Sequence, residues 1–164
     1  MSVTFLNQPK VSPHEVDAKY NARRIELIPQ IEEYISHSEL FAGKDVSVTF
    51  SHAGVSSQVC ILEVGDEKFV LKIPLAFRDY SPEPSFLTAW EHVGVSVPHV
   101  IEDGYIHGHP FTLMKFIDAE TVGQAYFKEN SPEPRIFVEM GKTLRQMHQT
   151  RAEKYGLGNN PEKQ

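Results

Sequence analysis

The sequence predicts an α+β fold in which a five-stranded antiparallel sheet carries one packed helix, follows N-terminal helices and precedes a C-terminal helix. The order of the hydrophobic periods supports this class. Three strand-like segments are followed by one segment with helical spacing and then by two more strand-like segments. Runs of strands around a single inserted helix favour an antiparallel sheet over a doubly wound parallel one. The composition, 40% hydrophobic and 23% charged, is typical of a packed domain.

The first predicted helices lie before the sheet. Ser12-Pro13 places a hydroxyl at the N-cap and proline at the first helical position, as in a capping-box start. The helix should end at Pro29, because proline removes a backbone donor. The apolar residues between 31 and 35 then predict a further short helix.

The strands begin where the period changes to two, over residues 46–50. Residues 51–57 are small and polar, which predicts a loop. Segments 59–64 and 68–73 are rich in β-branched and aromatic residues. The intervening Gly65-Asp66 is suited to a tight turn, so these segments should be neighbouring antiparallel strands.

The remaining elements follow in the same way. Ser81-Pro82 opens a helix that Gly94 ends, and strands are predicted over 99–106 and 111–115, joined through His107-Gly108-His109-Pro110. Ser131-Pro132 opens a last helix. Its apolar residues share one side: Ile136, Phe137, Met140, Leu144 and Met147.

Charge and cysteine content exclude several classes. The formal net charge is −6, with 16 basic and 22 acidic residues and no dense basic stripe, so a nucleic-acid partner is not expected. No apolar run approaches the ~20 residues of a membrane span, and a membrane partner is not expected either. Cys60 is the only cysteine and the N-terminus lacks a long apolar leader, which favours a reducing, cytoplasmic setting.

Lys72 is the one basic residue inside the apolar third strand, 69–73. With period two it shares a face with Val70, while Phe69, Leu71 and Ile73 occupy the other face. Two interpretations are open. Lys72 could be a solvent-facing lysine of a small α+β domain, or it could hold its ammonium over a cleft beneath the loop at residues 53–57.

Several segments resemble the aminoglycoside phosphotransferase family of kinase-like enzymes. The resemblance runs from Gly54 to Met147, and its motifs are GVSSQV at 54–59, FVLK at 69–72, GVSVP at 94–98, FTLM at 111–114 and GKTLRQMH at 141–148. It implies a protein-kinase-like N-lobe followed by the first helix of a C-lobe. The implied limits are 1–44 for a helical segment, 45–117 for the N-lobe, and 118–164 for a linker and the start of a C-lobe.

The resemblance also implies nucleotide contacts. Lys72 would bind the α- and β-phosphates of ATP or GTP, with Mg²⁺ as the metal, and the loop would cover the phosphates. The segment after the fifth strand would be the hinge to the adenine edge, although by itself it is also an ordinary strand end. The residues concerned are Gly54, Ser56 and Ser57 in the loop and Met114, Lys115 and Ile117 at the hinge.

Glu83 is the candidate partner that would orient Lys72, because it aligns with the family's helix glutamate when residues 94–98 are used as the anchor. Its place in the first helical turn equally suits a carboxylate that complements the helix dipole. Glu91 is the alternative partner, although it lies near the end of the helix where negative charge is disfavoured.

The family's catalytic loop, His-Gly-Asp with a following Asn, has no counterpart among the 164 residues, and neither do its metal ligands. No catalytic residue is therefore assigned. The chain is expected to be a piece or shortened form of a phosphotransferase acting on a small-molecule hydroxyl, inactive alone, or a free-standing lobe. A different class is also open: a binding module that has lost the chemistry and forms a homodimer through its exposed cleft face.

Overall fold

The computed structural model describes residues 1–76, 81–121, 124 and 134–151. A six-stranded mixed sheet forms its centre, in the spatial order β1-β2-β3-β4-β6-β5. The first two strands are parallel and every other neighbouring pair is antiparallel. The strands are β1 (Val3–Phe5), β2 (Val46–Phe50), β3 (Ser57–Val64), β4 (Glu67–Pro74), β5 (Val100–Ile106) and β6 (His109–Lys115).

The prediction of a five-stranded, purely antiparallel sheet is wrong, because β1 adds a sixth and parallel strand. Three residues are too few to show a period in the sequence. The strand is held by backbone hydrogen bonds from Val46 N–H to Ser2 O and from Leu6 N–H to Val48 O, both 2.9 Å. These partners lie more than forty positions away in the chain, so only the tertiary structure selects this strand.

The helices of the described residues are α1 (Glu15–Ala18), α2 (Asn21–His37), α3 (Glu83–His92) and α4 (Pro134–Met147), with a 3-10 turn at Glu39–Phe41. The helix start predicted at Ser81-Pro82 is confirmed to within two residues, since Pro82 is the N-cap of α3. The start predicted at Ser131-Pro132 lies outside the described residues.

Two predictions for the N-terminal helices are wrong. Pro29 does not end a helix, because α2 continues through it from Asn21 to His37. Proline inside a helix costs about 3 kcal/mol. Burial of the apolar stripe on both sides of it, Leu27, Ile31 and Ile35, contributes about 1.5–3 kcal/mol for each side chain and outweighs that cost. The second wrong prediction is the capping-box start at Ser12-Pro13. Helix α1 begins at Glu15 and no side chain caps it, while Ser12 Oγ accepts the N–H of His14 at 3.3 Å.

The predicted hairpins are confirmed. β3 and β4 pair in antiparallel register around Gly65, whose φ of 60° lies in the left-handed region. β5 and β6 are joined by His107 and Gly108, with φ of 48° and 81°, which is the pattern of a two-residue type I′ turn. The turn is shorter than the predicted four-residue connection, because β6 already begins at His109.

The main core lies on one face of the sheet, between the strands and α2. Phe69, Leu71 and Ile73 of β4 are buried in it with the apolar stripe of α2. Cys60 lies in the same core, and its burial raises the pKa of the thiol to about 12. The core therefore covers one face of the sheet and leaves Val70 and Lys72, on the other face of β4, only partly covered.

Helix α4 is joined to the sheet-bearing part by a hydrogen bond of 2.7 Å from Gln146 Nε2 to Val93 O. Its apolar residues Phe137, Val138, Met140 and Leu144 are exposed. In the described part of the chain, no helix has the length and apolar character that crossing a bilayer requires.

Candidate functional site

Lys72 lies in the middle of β4, on the sheet face opposite the main core. Its register partners are Val59 on β3 and Thr112 on β6. Alternation along β4 is complete at this point, since Leu71 and Ile73 are buried and Lys72 is half-buried. The face predicted for Lys72 is therefore the face that it occupies.

Glu83, the first residue of α3, holds the Lys72 ammonium. The distance from Lys72 Nζ to Glu83 Oε1 is 2.6 Å, and each side chain is 31% exposed. Ion pairs with this exposure contribute at most about 1 kcal/mol to stability. The pair therefore orients a cation at an accessible position more than it stabilises the fold.

Glu91, the alternative partner, does not contact Lys72. Its carboxylate oxygen Oε1 lies 2.9 Å from His99 Nδ1, at the other end of α3. The position of Glu83 in the first turn of α3 also suits the helix dipole. Glu83 can therefore fill both roles considered for it, because it lies at the start of α3 and also contacts Lys72.

The loop between β2 and β3 lies next to the Lys72 end of β4. Ser57, where the loop ends, pairs with Pro74, two residues from Lys72, which corresponds to about 7 Å along the strand. The Leu75 N–H donates to Ser56 O at 2.8 Å. Within the described part of the chain, the N–H groups of Val55 and Ser56 have no protein acceptor, so two adjacent donors are available to a ligand.

Gly54 has a φ of 84°, a region that side chains disfavour, and a Cβ atom there would meet no neighbour within 4 Å. The Gly54→Ala substitution is therefore expected to lower the free energy of unfolding by about 1–2 kcal/mol through backbone strain alone. Gly141→Ala is the matched control, because Gly141 lies inside α4 with open space around it. The Gly141→Ala change should raise the free energy of unfolding by about 0.5–1 kcal/mol. Urea unfolding measures the change for both variants, and a change of the same sign in both would contradict the loop conformation.

Sequence reasoning missed a group of charged residues that holds this loop from the N-terminal segment. Arg24 Nη2 donates to Val55 O at 2.7 Å, and Lys10 Nζ donates to Gly54 O at 3.3 Å. Asp17 joins the two cations, with 2.6 Å from its Oδ2 to Lys10 Nζ and 2.7 Å from its Oδ1 to Arg24 Nη2. We call Lys10, Asp17 and Arg24 the Asp17 cluster.

A signal for this cluster was present in the sequence. Arg24 lies three positions before Leu27, on the same helical stripe as Ile31 and Ile35, and it is 2% exposed. A charged residue on an apolar stripe is almost never fully buried without a partner. The position of Arg24 thus indicated a buried partner, although the identity of that partner needed the tertiary structure.

The Asp17 cluster predicts a dependence of stability on pH. The hydrogen bond from Lys10, together with Arg24 and Ser12, outweighs the effect of burial and lowers the pKa of Asp17 to about 2. Since the pKa is lower in the folded state, the stabilisation is complete above about pH 4 and is lost as the pH falls towards 2. Urea unfolding between about pH 4 and 2 should show that the free energy of unfolding falls less steeply with pH in Asp17→Asn than in the wild type. An equally steep fall in both proteins would contradict the shifted pKa.

The segment after β6 is the predicted hinge. The N–H of Lys115 donates to His99 O at 2.9 Å and that of Phe116 to Lys68 O at 3.2 Å, so both donors are already used. The Ile117 N–H has no acceptor within the described residues, and Ile117 O accepts from Ala119 N–H at 3.1 Å. Ile117 therefore provides an available donor in this segment.

The side chains of the other hinge candidates are less available. Met114 is 6% exposed and pairs with Val70. The Lys115 side chain forms an ion pair with Glu67 at 2.7 Å and lies over the ring of Phe69, which is on the core face. The structure thus brings Lys72, Glu83 and the loop to one region and directs the Lys115 side chain away from it.

Metal binding can be tested on the donor set. Among residues 1–76, 81–121, 124 and 134–151, no three His, Cys, Asp or Glu side chains come close enough together to hold a metal ion. Glu83, the acid next to the candidate site, is already paired with Lys72. The described residues do not fit a complete Mg²⁺ site.

Comparison with solved structures shows the fold. The spectinomycin phosphotransferase APH(9)-Ia, in complex with ADP and spectinomycin, superposes with a TM-score of 0.52 and 18% identity over 67% of this chain and 35% of that one. A cysteine-to-alanine mutant of the Mycobacterium tuberculosis PknI kinase domain gives a TM-score of 0.40 and 19% identity over 66% of this chain and 49% of that one. The chain thus spans about a third of the length of APH(9)-Ia. A search of curated protein sequences finds no match.

The mixed sheet, with its strand lysine paired to a helix glutamate, thus has a phosphotransferase-like fold. The family model for the phosphotransferase enzyme family, APH, matches residues 47–164. The chain belongs to this family, as its sequence motifs predicted.

Proposed function

We propose that this chain is the nucleotide-binding portion of a small-molecule phosphotransferase that uses ATP or GTP. The observation that carries the proposal is the Lys72–Glu83 ion pair of 2.6 Å, which holds a partly exposed ammonium on the sheet face opposite the main core. A lysine fixed in this way by a helix carboxylate is the arrangement by which kinases bind the α- and β-phosphates. A simple surface lysine of an α+β domain does not require a carboxylate that fixes its position.

The remaining contacts follow from the donors that the fold leaves open. The Val55 and Ser56 N–H groups lie in the loop next to the Lys72 end of β4 and would donate to phosphate oxygens, while Gly54 permits the turn. Ser57 marks the point where the loop joins the sheet. At the hinge, the Ile117 N–H would contact the adenine edge, whereas the Lys115 N–H is already bonded to His99 O.

Catalysis is proposed to need groups other than these. The described residues do not form a complete Mg²⁺ site, and the 164 residues contain no His-Gly-Asp motif. Positioning and electrostatics supply nearly all of phosphoryl-transfer catalysis. We therefore propose that the 164-residue chain binds nucleotide weakly and transfers no phosphoryl group. The acceptor, a small-molecule hydroxyl, and the limits 1–44, 45–117 and 118–164 are part of this proposal.

The proposal is tested by titrating the ¹⁵N-labelled chain with ADP and recording amide chemical shifts. Perturbations should map to residues 54–57, Lys72 and Ile117, since these carry the open donors and the cation. Perturbations confined to the α2 side of the sheet, or none at millimolar ADP, would overturn the nucleotide-binding role. Transfer of phosphate from ATP to any hydroxyl substrate by the purified chain would contradict the inactive assignment.

A second candidate function, self-association as an interaction module, is favoured by one observation. Helix α4 exposes Phe137, Val138, Met140 and Leu144, and contiguous apolar surface of this kind usually marks an interface. Light scattering across a concentration series should give a mass above the monomer. The Leu144→Glu variant should return the mass to that of the monomer, with Arg145→Glu on the same helix as a control for added charge. A monomeric mass at high concentration would remove this candidate.

A further inference from the structure

We propose that the Asp17 cluster positions the loop at residues 54–57 for anion binding, an inference that rests on the proposed nucleotide-binding function. Its members Lys10, Asp17 and Arg24 fix two successive carbonyl groups of the loop. They all precede residue 47, where the match to the family begins. The Asp17 cluster therefore belongs to a segment that lies before the residues matched by the family model.

The direction of the loop amides follows from peptide geometry. In a planar trans peptide, the C=O of one residue and the N–H of the next point in opposite directions. Lys10 and Arg24 attract the Gly54 and Val55 carbonyls towards the N-terminal segment. The N–H groups of Val55 and Ser56 must consequently point away from that segment.

The N-terminal segment and the Lys72 face lie on opposite sides of the sheet. Arg24 belongs to the stripe of α2 that packs in the main core with Leu27 and Ile31. Lys72 occupies the other face. Carbonyls that are held towards α2 therefore turn the two free amides towards the face on which the Lys72 ammonium is held.

Charge and burial indicate the same role. Two cations and one carboxylate give the cluster a net positive charge behind the loop, which favours an anion in front of it. Arg24 and Asp17 are 2% and 5% exposed, and buried ion pairs of this kind contribute little net stability relative to apolar residues of the same size. Their geometric effect on the loop gives a physical reason for placing charges there.

The first measurement concerns the loop itself and needs no ligand. Heteronuclear ¹⁵N relaxation of Val55 and Ser56 should report increased motion on the picosecond–nanosecond timescale in Lys10→Met and Arg24→Lys. The Lys19→Met variant is the matched control, because it removes a cation of the same segment that contacts Tyr20 and not the loop. The Lys10 side chain is partly exposed, so Lys10→Met can still test the proposal if Arg24→Lys fails to fold.

The second measurement separates positioning from a general structural role. Inorganic tripolyphosphate and adenosine are used as separate probes, with affinities from chemical-shift titration. Lys10→Met and Arg24→Lys should weaken tripolyphosphate binding by about tenfold, corresponding to one charge-assisted contact. They should leave adenosine binding unchanged, because the cluster contacts only the phosphate loop.

The outcomes distinguish this inference from the proposed function. If the wild type binds both probes and the variants change neither loop motion nor tripolyphosphate affinity, the positioning role is wrong and the proposed function stands. An equal loss for adenosine and tripolyphosphate would show a merely structural cluster and overturn the inference. A wild-type chain that binds neither probe overturns the proposed function, and the anion-binding role of the cluster with it.

Discussion

The Lys72→Met variant is expected to bind ATP about 10- to 100-fold more weakly than the wild type. Hydrogen bonds to charged groups contribute about 1.5–3 kcal/mol, and about 1.4 kcal/mol corresponds to a tenfold change. Methionine keeps much of the volume and apolar stem of lysine and removes only the cation. Since the ammonium would contact phosphates and not the base, adenosine affinity should not change.

The matched control is Lys142→Met on α4, which also replaces a lysine paired with a glutamate. Lys142 Nζ lies 2.7 Å from Glu139 Oε1, so this variant removes an equal charge outside the candidate site. Calorimetric or chemical-shift titration of both variants with ATP and with adenosine gives the comparison. Equal ATP affinity of Lys72→Met and the wild type would favour a simple surface lysine and remove the kinase interpretation.

The Leu113→Ala variant is expected to lose about 2–5 kcal/mol of unfolding free energy. Leu113 is 0% exposed on β6 and pairs with Leu71 of β4, which is equally buried. Removing a fully buried leucine side chain costs its transfer free energy and leaves a cavity. Domains of this size are stable by about 5–15 kcal/mol, so the loss is a large fraction of the total.

Leu144→Ala is the control for this substitution, because Leu144 is 52% exposed on α4. Its loss should stay within about 0.5 kcal/mol, as for most surface changes. Urea unfolding of the two variants and the wild type measures both losses. A large loss for Leu144→Ala would show that the α4 surface is covered in solution, which would favour self-association.

Much of the sheet could be predicted because its signal is local. The alternation in β2, β3 and β4 and the glycine at residue 65 predicted strands, faces and a turn that the structure contains. The break expected at Pro29 was wrong because burial of the α2 stripe outweighs one missing hydrogen bond. Strand β1 was missed because its partner Val46 is distant in sequence.

The candidate site divides in the same way. The alternation of β4 assigned Lys72 to the face opposite Phe69, Leu71 and Ile73, and the family resemblance singled out Glu83 as one of two partners. Neither could choose between Glu83 and Glu91, because the choice depends on how α3 sits relative to the sheet. The structure makes that choice with a contact of 2.6 Å.

The sequence by itself determined the α+β class, the order of the elements from β2 onward, the face that Lys72 occupies, and the family of the chain. These depend on residue periods, turn chemistry and motifs, which neighbouring residues encode. Only the tertiary structure decided the parallel sixth strand, the Lys72–Glu83 pair and the Asp17 cluster behind the loop. Each of these joins residues of different segments, which meet only when the sheet and its helices have packed.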